Sequence, residues 1–254
     1  MNERGVYNKP IIRPFGDSCL ILEVGDQISY EVHLKVKRTY FYARDRKPKG
    51  IKEVVPAYSS INCHYNPSEI SVRNVEAFLQ QAFEAKGEIE EAVPRRIRIP
   101  TVFGGEYGPD LERVASFHRI SQEKVVEIFT RGEYLNYFIG FMPGKPYLGG
   151  LPAELETPRL DVPRTHLPSG TVVLYGKQVA IFGLPQPSGA NCIGRSPIKV
   201  YDPSRENPVL LRMGDYLKFY PIEKEDFVRI EQEVMSGRYQ LEIEEIREAV
   251  YGKV

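Results

Sequence analysis

Tryptophan is absent from the 254 residues, and cysteine occurs only three times, at Cys19, Cys63 and Cys192. Three is an odd number and none of the three forms a CxxC, which excludes a complete disulfide framework. Buried free thiols in a reducing compartment are the expectation. Charge of either sign is not in excess: Lys+Arg and Asp+Glu both total 34, so the net charge is zero. That removes the electrostatic argument for a nucleic-acid partner, which needs a basic surplus, though it leaves a local patch open. No run approaches the ~18 continuous apolar residues of a membrane span, and the opening MNERGVYNKPII has no apolar core after its charges, unlike a signal peptide. The expectation is a cytoplasmic protein with neither a membrane nor a nucleic acid as partner. The four histidines (His33, His64, His118 and His166) show no H-x-x-x-H spacing, so no metal site is expected. A G-x-S-x-G nucleophile elbow is missing too.

What is present suits a packed globular chain. Hydrophobic residues make up 42% and charged residues 27%, enough to bury a core, and the length accommodates one large domain or two small ones. From Ile11, IIRPFGDSCLILEVGD reads as two apolar runs around the turn Gly16-Asp17-Ser18. Residues 27–44 suit a helix. Ile61, Cys63 and Tyr65 alternate with Asn62 and His64, the pattern of a half-buried strand. Ser71 then caps a helix with Val72, Val75, Leu79, Ala82 and Phe83 at helical spacing, and Gly87 offers a left-handed end. Strand, strand, helix, strand, strand, helix fits an α+β unit of about 90 residues, bounded by the acidic GEIEEA.

RRIRIP opens a second region. Pro109 starts a helix with Leu111, Val114, Ala115 and His118 on one face, and Ser121 caps another that runs through Phe129 to Gly132. β character follows in YLNYFIGF, in TVVLY and QVAIF joined by Gly176-Lys177, and in PIKVYD, VLLR and YLKFYP, with Asp215 after Gly214 in the last turn. Many short strands at this spacing predict a closed or nearly closed barrel. Residues 224–254 are charged and helix-prone.

One stretch invites a nucleotide reading. GFMPGKPYLGGLP, residues 140–152, resembles a phosphate-gripping loop. A P-loop needs four residues between its glycines and a hydroxyl after the lysine. Gly140 and Gly144 are separated by three, and Pro146 stands at the hydroxyl position. Pro146 also biases Lys145 away from helical backbone. The stretch is therefore a rigid loop, with Pro143 and Pro146 fixing φ. Cys192 in ANCIGRSP is expected to be a buried structural thiol. Arg159, Arg164 and Arg195 lie beside proline or glycine in loops between apolar strands, where a planar five-donor group suits a carboxylate or phosphate. Ser169, Gln186, Ser188 and Asn191 add neutral donors and acceptors, and all of these are equally compatible with ordinary solvated loops.

The ordered set PFGDSCLILEVGD, VVPAYSSINCHYNP, EYGPDLERVA, GFMPGKPYLGGLP, TPRLDVPRTHLPSGTV, IGRSP and LLRMGDYLKF spans about residues 12–221. It resembles the family of the 5-oxoprolinase B subunit, also described as allophanate hydrolase subunit 1 and as the sporulation kinase inhibitor family, built from carboxyltransferase C and D subdomains. The resemblance implies an α+β, ferredoxin-like N-terminal domain over 1–92, a cyclophilin-like β-barrel domain over 93–223 and a helical C-terminal tail over 224–254. It implies one subunit of an ATP-dependent 5-oxoprolinase, a hydrolase that turns 5-oxoproline into glutamate. Its partners would be a second cyclophilin-like barrel subunit, the C subunit, and also an A subunit, with ATP used by the complex. It also allows an inhibitor of a sensor histidine kinase, or one subunit of an allophanate or urea amide hydrolase. Catalytic residues are not assigned. The candidate ligand- or partner-facing residues are Lys145, Tyr147, Arg164, Ser169, Gln186, Asn191 and Arg195. The sequence departs from the family at Lys145, where an aromatic is common, and at Ser188 and Ala190, where glycine and tryptophan are common.

Overall fold

The computed structural model describes residues 5–85, 93–140 and 142–246. The chain divides into two compact units, Met1–Ala92 and Val93–Val254.

The first unit contains β1 (Val6–Pro14), β2 (Cys19–Gly25), α1 (Tyr30–Asp45), β3 (Ile51–Pro56), β4 (Ser60–Tyr65) and α2 (Val72–Glu84). Its strands form an antiparallel sheet in the order β1-β2-β4-β3. Ile61, Cys63 and Tyr65 are buried while Asn62 and His64 are half-exposed, as their alternation requires. Ser29 and Ser71 cap the helices, their hydroxyl oxygens accepting from the N–H of Val32 at 3.2 Å and of Asn74 at 3.3 Å. The buried stripe of α2 is Val75, Phe78, Leu79, Ala82 and Phe83, three- and four-residue steps that put one apolar face inward. That helix ends at Glu84, and Gly87 lies outside the described residues. His33 and Lys37 are buried on α1. Burial, helped by the neighbouring Lys37 charge, holds the His33 imidazole neutral down to about 3.

The second unit is built on a closed barrel. Its elements are β5 (Arg95–Phe103), α3 (Leu111–His118), α4 (Gln122–Arg131), β6 (Tyr134–Ile139), β7 (Pro146–Gly149), β8 (Arg164–Leu167), β9 (Thr171–Tyr175), β10 (Gln178–Ile181), β11 (Gln186–Ser188), β12 (Asn191–Arg195), β13 (Tyr216–Pro221), α5 (Lys224–Met235) and β14 (Ile243–Glu245). The sheet runs β12-β9-β10-β7-β6-β13-β5, and pairing of β12 with β5 closes it into seven strands. Among the described residues only β13 with β5 is parallel. β14 adds to β5, and β8 and β11 form a separate two-stranded flap.

Strand parity divides the barrel's side chains. Leu148, Val172, Leu174, Val179, Ile181, Ile193, Leu217, Phe219, Ile97 and Ile99 fill the interior with Leu111 and Val114 of α3 and Val125 and Phe129 of α4. The barrel is thus packed solid, like other small barrels. The alternate residues Val173, Tyr175, Ala180 and Cys192 point outward and are covered by Leu167 of the flap, with Phe182 and Ala190. Both faces of TVVLY are therefore buried.

Two segments depart from the sequence expectation. PIKVYD and VLLR form no strands: Tyr201 and Val209 make one isolated bridge. Pro197, Pro203 and Pro208 remove ladder donors across this segment. The segment 224–254 is helical only over Lys224–Met235 among the described residues; Ile243–Glu245 is a strand paired with Ile97, Arg96 and Arg95. Among the described residues no helix is long and apolar enough to cross a membrane, and no cluster of three His, Cys, Asp or Glu side chains could hold a metal.

Candidate functional site

GFMPGKPYLGG is the β6–β7 hairpin, with Ile139 paired to Pro146. Its N–H groups bond within the loop: Gly140 donates to Lys145 O at 3.1 Å, Met142 to Gly140 O at 2.8 Å and Lys145 to Met142 O at 3.0 Å. These N–H groups are spent on the turn itself, so they form no phosphate nest. Gly144 sits at φ +68° with Tyr201 packed where a side chain would begin. That contact fixes the loop that carries Lys145 and, one strand residue on, Tyr147.

These two residues help form a cavity of about 410 Å³ on the outer wall of the barrel. Tyr147, Tyr175 and Gln178 come from β7, β9 and β10, Gln186 and Ser188 from the flap, and Arg159 from the connection before it. Tyr147 and Tyr175 are the outward neighbours of Leu148 and Leu174, which fill the barrel interior. The cavity exists because the flap stands over that wall.

Its charge is positive. Lys145 and Arg159 are in the lining, which contains no carboxylate among the described residues. Aromatic faces cradle both cations: the Lys145 Nζ lies 5.0 Å from the centre of the Phe182 ring and 5.8 Å from that of Tyr147. The Arg159 guanidinium lies 4.2 Å from the Tyr175 ring centre. Tyr147 in turn stacks on Phe138 at 4.5 Å. Burial, then the nearby Arg159 charge, lowers the Lys145 pKa from its ordinary value. Burial raises both phenols, Tyr147 and Tyr175, so they remain neutral donors. Gln186 is only 5% exposed, and its Nε2 finds no hydrogen-bond partner among the described residues. A buried amide without a partner costs roughly 1–3 kcal/mol. The nitrogen itself is inaccessible, so it lies behind the cavity wall rather than facing the open space.

The structure therefore brings Lys145, Tyr147 and Gln186 together and sends the other candidates elsewhere. Arg164 is taken by Asp110, its Nε and Nη2 donating to the carboxylate at 3.1 and 2.5 Å, so it anchors the flap. Asn191 is fully buried, its Nδ2 donating to Pro158 O at 3.0 Å and Leu174 O at 3.1 Å, while Arg113 donates to its Oδ1. Arg195 donates to the backbone oxygen of Ser169 at 3.1 Å and lies over the Phe227 ring at 5.3 Å, which ties α5 to the barrel. Neither Ser169 nor Arg195 lines the cavity. Tyr175 and Gln178 line it without having been legible in the sequence, because each belongs to a run that looks uniformly apolar or turn-like. Cys192 is buried, its thiol pushed up to about 12 by burial and by Asp110, so it is no nucleophile at neutral pH. His118 meets Thr157 Oγ1 at 3.0 Å and is a packing residue.

A larger depression of about 740 Å³ lies on the first unit between α1 and α2. Arg46, Lys49 and Glu69 mix both signs there, and among the described residues no buried side-chain polar atom on its wall lacks a partner.

Residues 10–211 match the family model of the carboxyltransferase domain, subdomain C and D. The chain is 34% identical over 233 residues to the 5-oxoprolinase B subunit of Bacillus subtilis, covering 87% of this chain and 97% of that protein. It is 40% identical over 209 residues to the protein of the same name from Haemophilus influenzae, covering 82% and 96%. Among solved structures, the protein TTHA0988 superposes with a TM-score of 0.72 at 32% identity over 82% of this chain; the chain spans only 40% of that longer one.

Proposed function

The chain belongs to the carboxyltransferase family of subdomains C and D, and from that premise we propose that it is the B subunit of an ATP-dependent 5-oxoprolinase. The carrying observation is its likeness, over nearly their whole length, to curated 5-oxoprolinase B subunits. The reaction opens the lactam of 5-oxoproline to glutamate. Amide resonance makes a five-membered lactam a poor electrophile and its ring has little strain to release, so hydrolysis is coupled to ATP. This chain works with a second barrel protein, the C subunit, and with an A subunit; ATP is used by the complex they form.

In this reading the barrel is cyclophilin-like and carries the substrate-facing surface at Lys145, Tyr147 and Gln186. The first unit is a permuted ferredoxin-like sheet: moving β1 to the end of α2 turns ββαββα into βαββαβ, with the permuted strand at one edge. The cytoplasm, where thiols stay reduced, suits three free cysteines.

Reconstitution tests the proposal. The purified A and C subunits with this chain should hydrolyse 5-oxoproline only when ATP is supplied, and omitting this chain should abolish turnover. Full turnover without it would defeat the assignment.

A further inference from the structure

The cavity on the outer barrel wall combines three features. It contains two cations, Lys145 and Arg159, and no carboxylate among the described residues. Both cations lie over aromatic faces. Beside them, Tyr147 and Tyr175 supply ring surface for the body of a ligand. All of the lining belongs to the barrel unit of this one chain.

We propose that this cavity is a preformed oxyanion site, which holds a carboxylate or phosphoryl group between Lys145 and Arg159. The rings of Tyr147 and Tyr175 flank the ligand body. Arg159 offers a planar fork suited to two oxygens of one group, and Lys145 supplies a point charge from the hairpin. The identity of the anion rests on the 5-oxoprolinase reading: 5-oxoproline carries a carboxylate, and ATP-driven activation of its lactam places a phosphoryl group in the reaction. The site is complete within this chain. Binding should therefore be measurable on this chain alone.

Calorimetric titration of the full chain with 5-oxoproline, with inorganic phosphate and with pyrrolidin-2-one, the same lactam without its carboxylate, provides the test. At least one of the two anions should bind, and raised salt should weaken it. Where 5-oxoproline binds, pyrrolidin-2-one should bind at least about tenfold more weakly, the loss expected for one charge-assisted contact. Binding of 5-oxoproline alone identifies a carboxylate site, and binding of phosphate alone a phosphoryl site. Arg159→Gln and Lys145→Gln should each weaken the bound anion by about ten- to a hundredfold. Arg205→Gln, on a separate surface, should change nothing. Absence of binding by both anions, measurable binding of pyrrolidin-2-one as tight as that of 5-oxoproline, or affinity indifferent to both cavity substitutions would overturn the proposal. Reconstituted turnover that needs this chain while neither anion binds it would leave the 5-oxoprolinase reading standing and remove the oxyanion site. Binding without reconstituted turnover would do the reverse.

Discussion

Replacing Asp110 should loosen the flap that roofs the cavity, and the size of the effect can be worked out. The Asp110 side chain is 5% exposed and accepts three hydrogen bonds: from Arg164 Nε at 3.1 Å, Arg164 Nη2 at 2.5 Å and the Cys192 N–H at 2.9 Å. It stands at the N-terminus of α3 but makes no side-chain capping bond, so little of its effect is a cap. In Asp110→Ala the buried Cys192 N–H loses its acceptor, at a cost of roughly 1–3 kcal/mol. The Arg164 side chain is 39% exposed and rehydrates when released, so its ion pair is discounted to about 1 kcal/mol. Asp110→Ala should then destabilise the barrel unit by about 3 kcal/mol in total. Asp110→Asn keeps an oxygen for Cys192 and should cost less, about 1–2 kcal/mol. Urea unfolding followed by the near-ultraviolet signal of the 16 tyrosines reads the loss, since tryptophan is absent. Because the chain has two compact units, the shift should be confined to one of two transitions if these separate. The cycle combining Asp110→Asn with Arg164→Gln should show a favourable coupling. An Asp110→Ala protein within about 0.5 kcal/mol of the parent, or a cycle without coupling, would refute the account of the flap as held by this carboxylate.

Three other perturbations follow from the same contacts. His33 stays neutral down to about 3 in the folded unit and titrates near its ordinary value when unfolded, so the unfolded chain binds the extra proton. Its contribution to stability is therefore intact above about pH 6.5 and falls towards pH 3, by up to about 1.4 kcal/mol per pH unit; His33→Leu should flatten that slope between about pH 6.5 and 4.5 in urea unfolding. Gly144→Ala should cost about 2–3 kcal/mol, combining positive φ with a Cβ that would come 2.5 Å from Tyr201 Cβ, whereas Gly176→Ala, at φ +53° with open space around it, should cost about 1 kcal/mol. Thermal unfolding of the two variants should rank them in that order. Lys145→Phe should preserve folding, since Phe182 and Tyr147 already surround the position, and should weaken anion binding in the titration above by about ten- to a hundredfold; unchanged affinity would make Lys145 an ordinary loop lysine. Binding to the parent chain should also fade with rising pH earlier than an ordinary lysine predicts, because Lys145 loses its proton below the usual lysine range.

Local patterning was decisive wherever one short stretch contained the whole physical argument. Ser29, Ser71 and Ser121 stand at helix starts because a hydroxyl there satisfies an otherwise orphaned N–H. The Gly176-Lys177 pair turns TVVLY back on QVAIF, with Tyr175 paired to Gln178. The short Gly140–Gly144 spacing and Pro146 excluded a phosphate loop, and the stretch is a hairpin. Tertiary structure decided the rest. Arg159, Arg164 and Arg195 look alike in sequence, each next to proline or glycine, yet one lines the cavity, one binds a carboxylate 54 residues away and one clasps α5. TVVLY is buried on both faces, so its pattern could not say that Tyr175 faces a cavity while Leu174 fills the barrel. That distinction is set by register, by closure between β12 and β5, and by the flap that covers one side of the wall. Each of these depends on residues far apart in the chain, and a pattern read from neighbours carries no information about them.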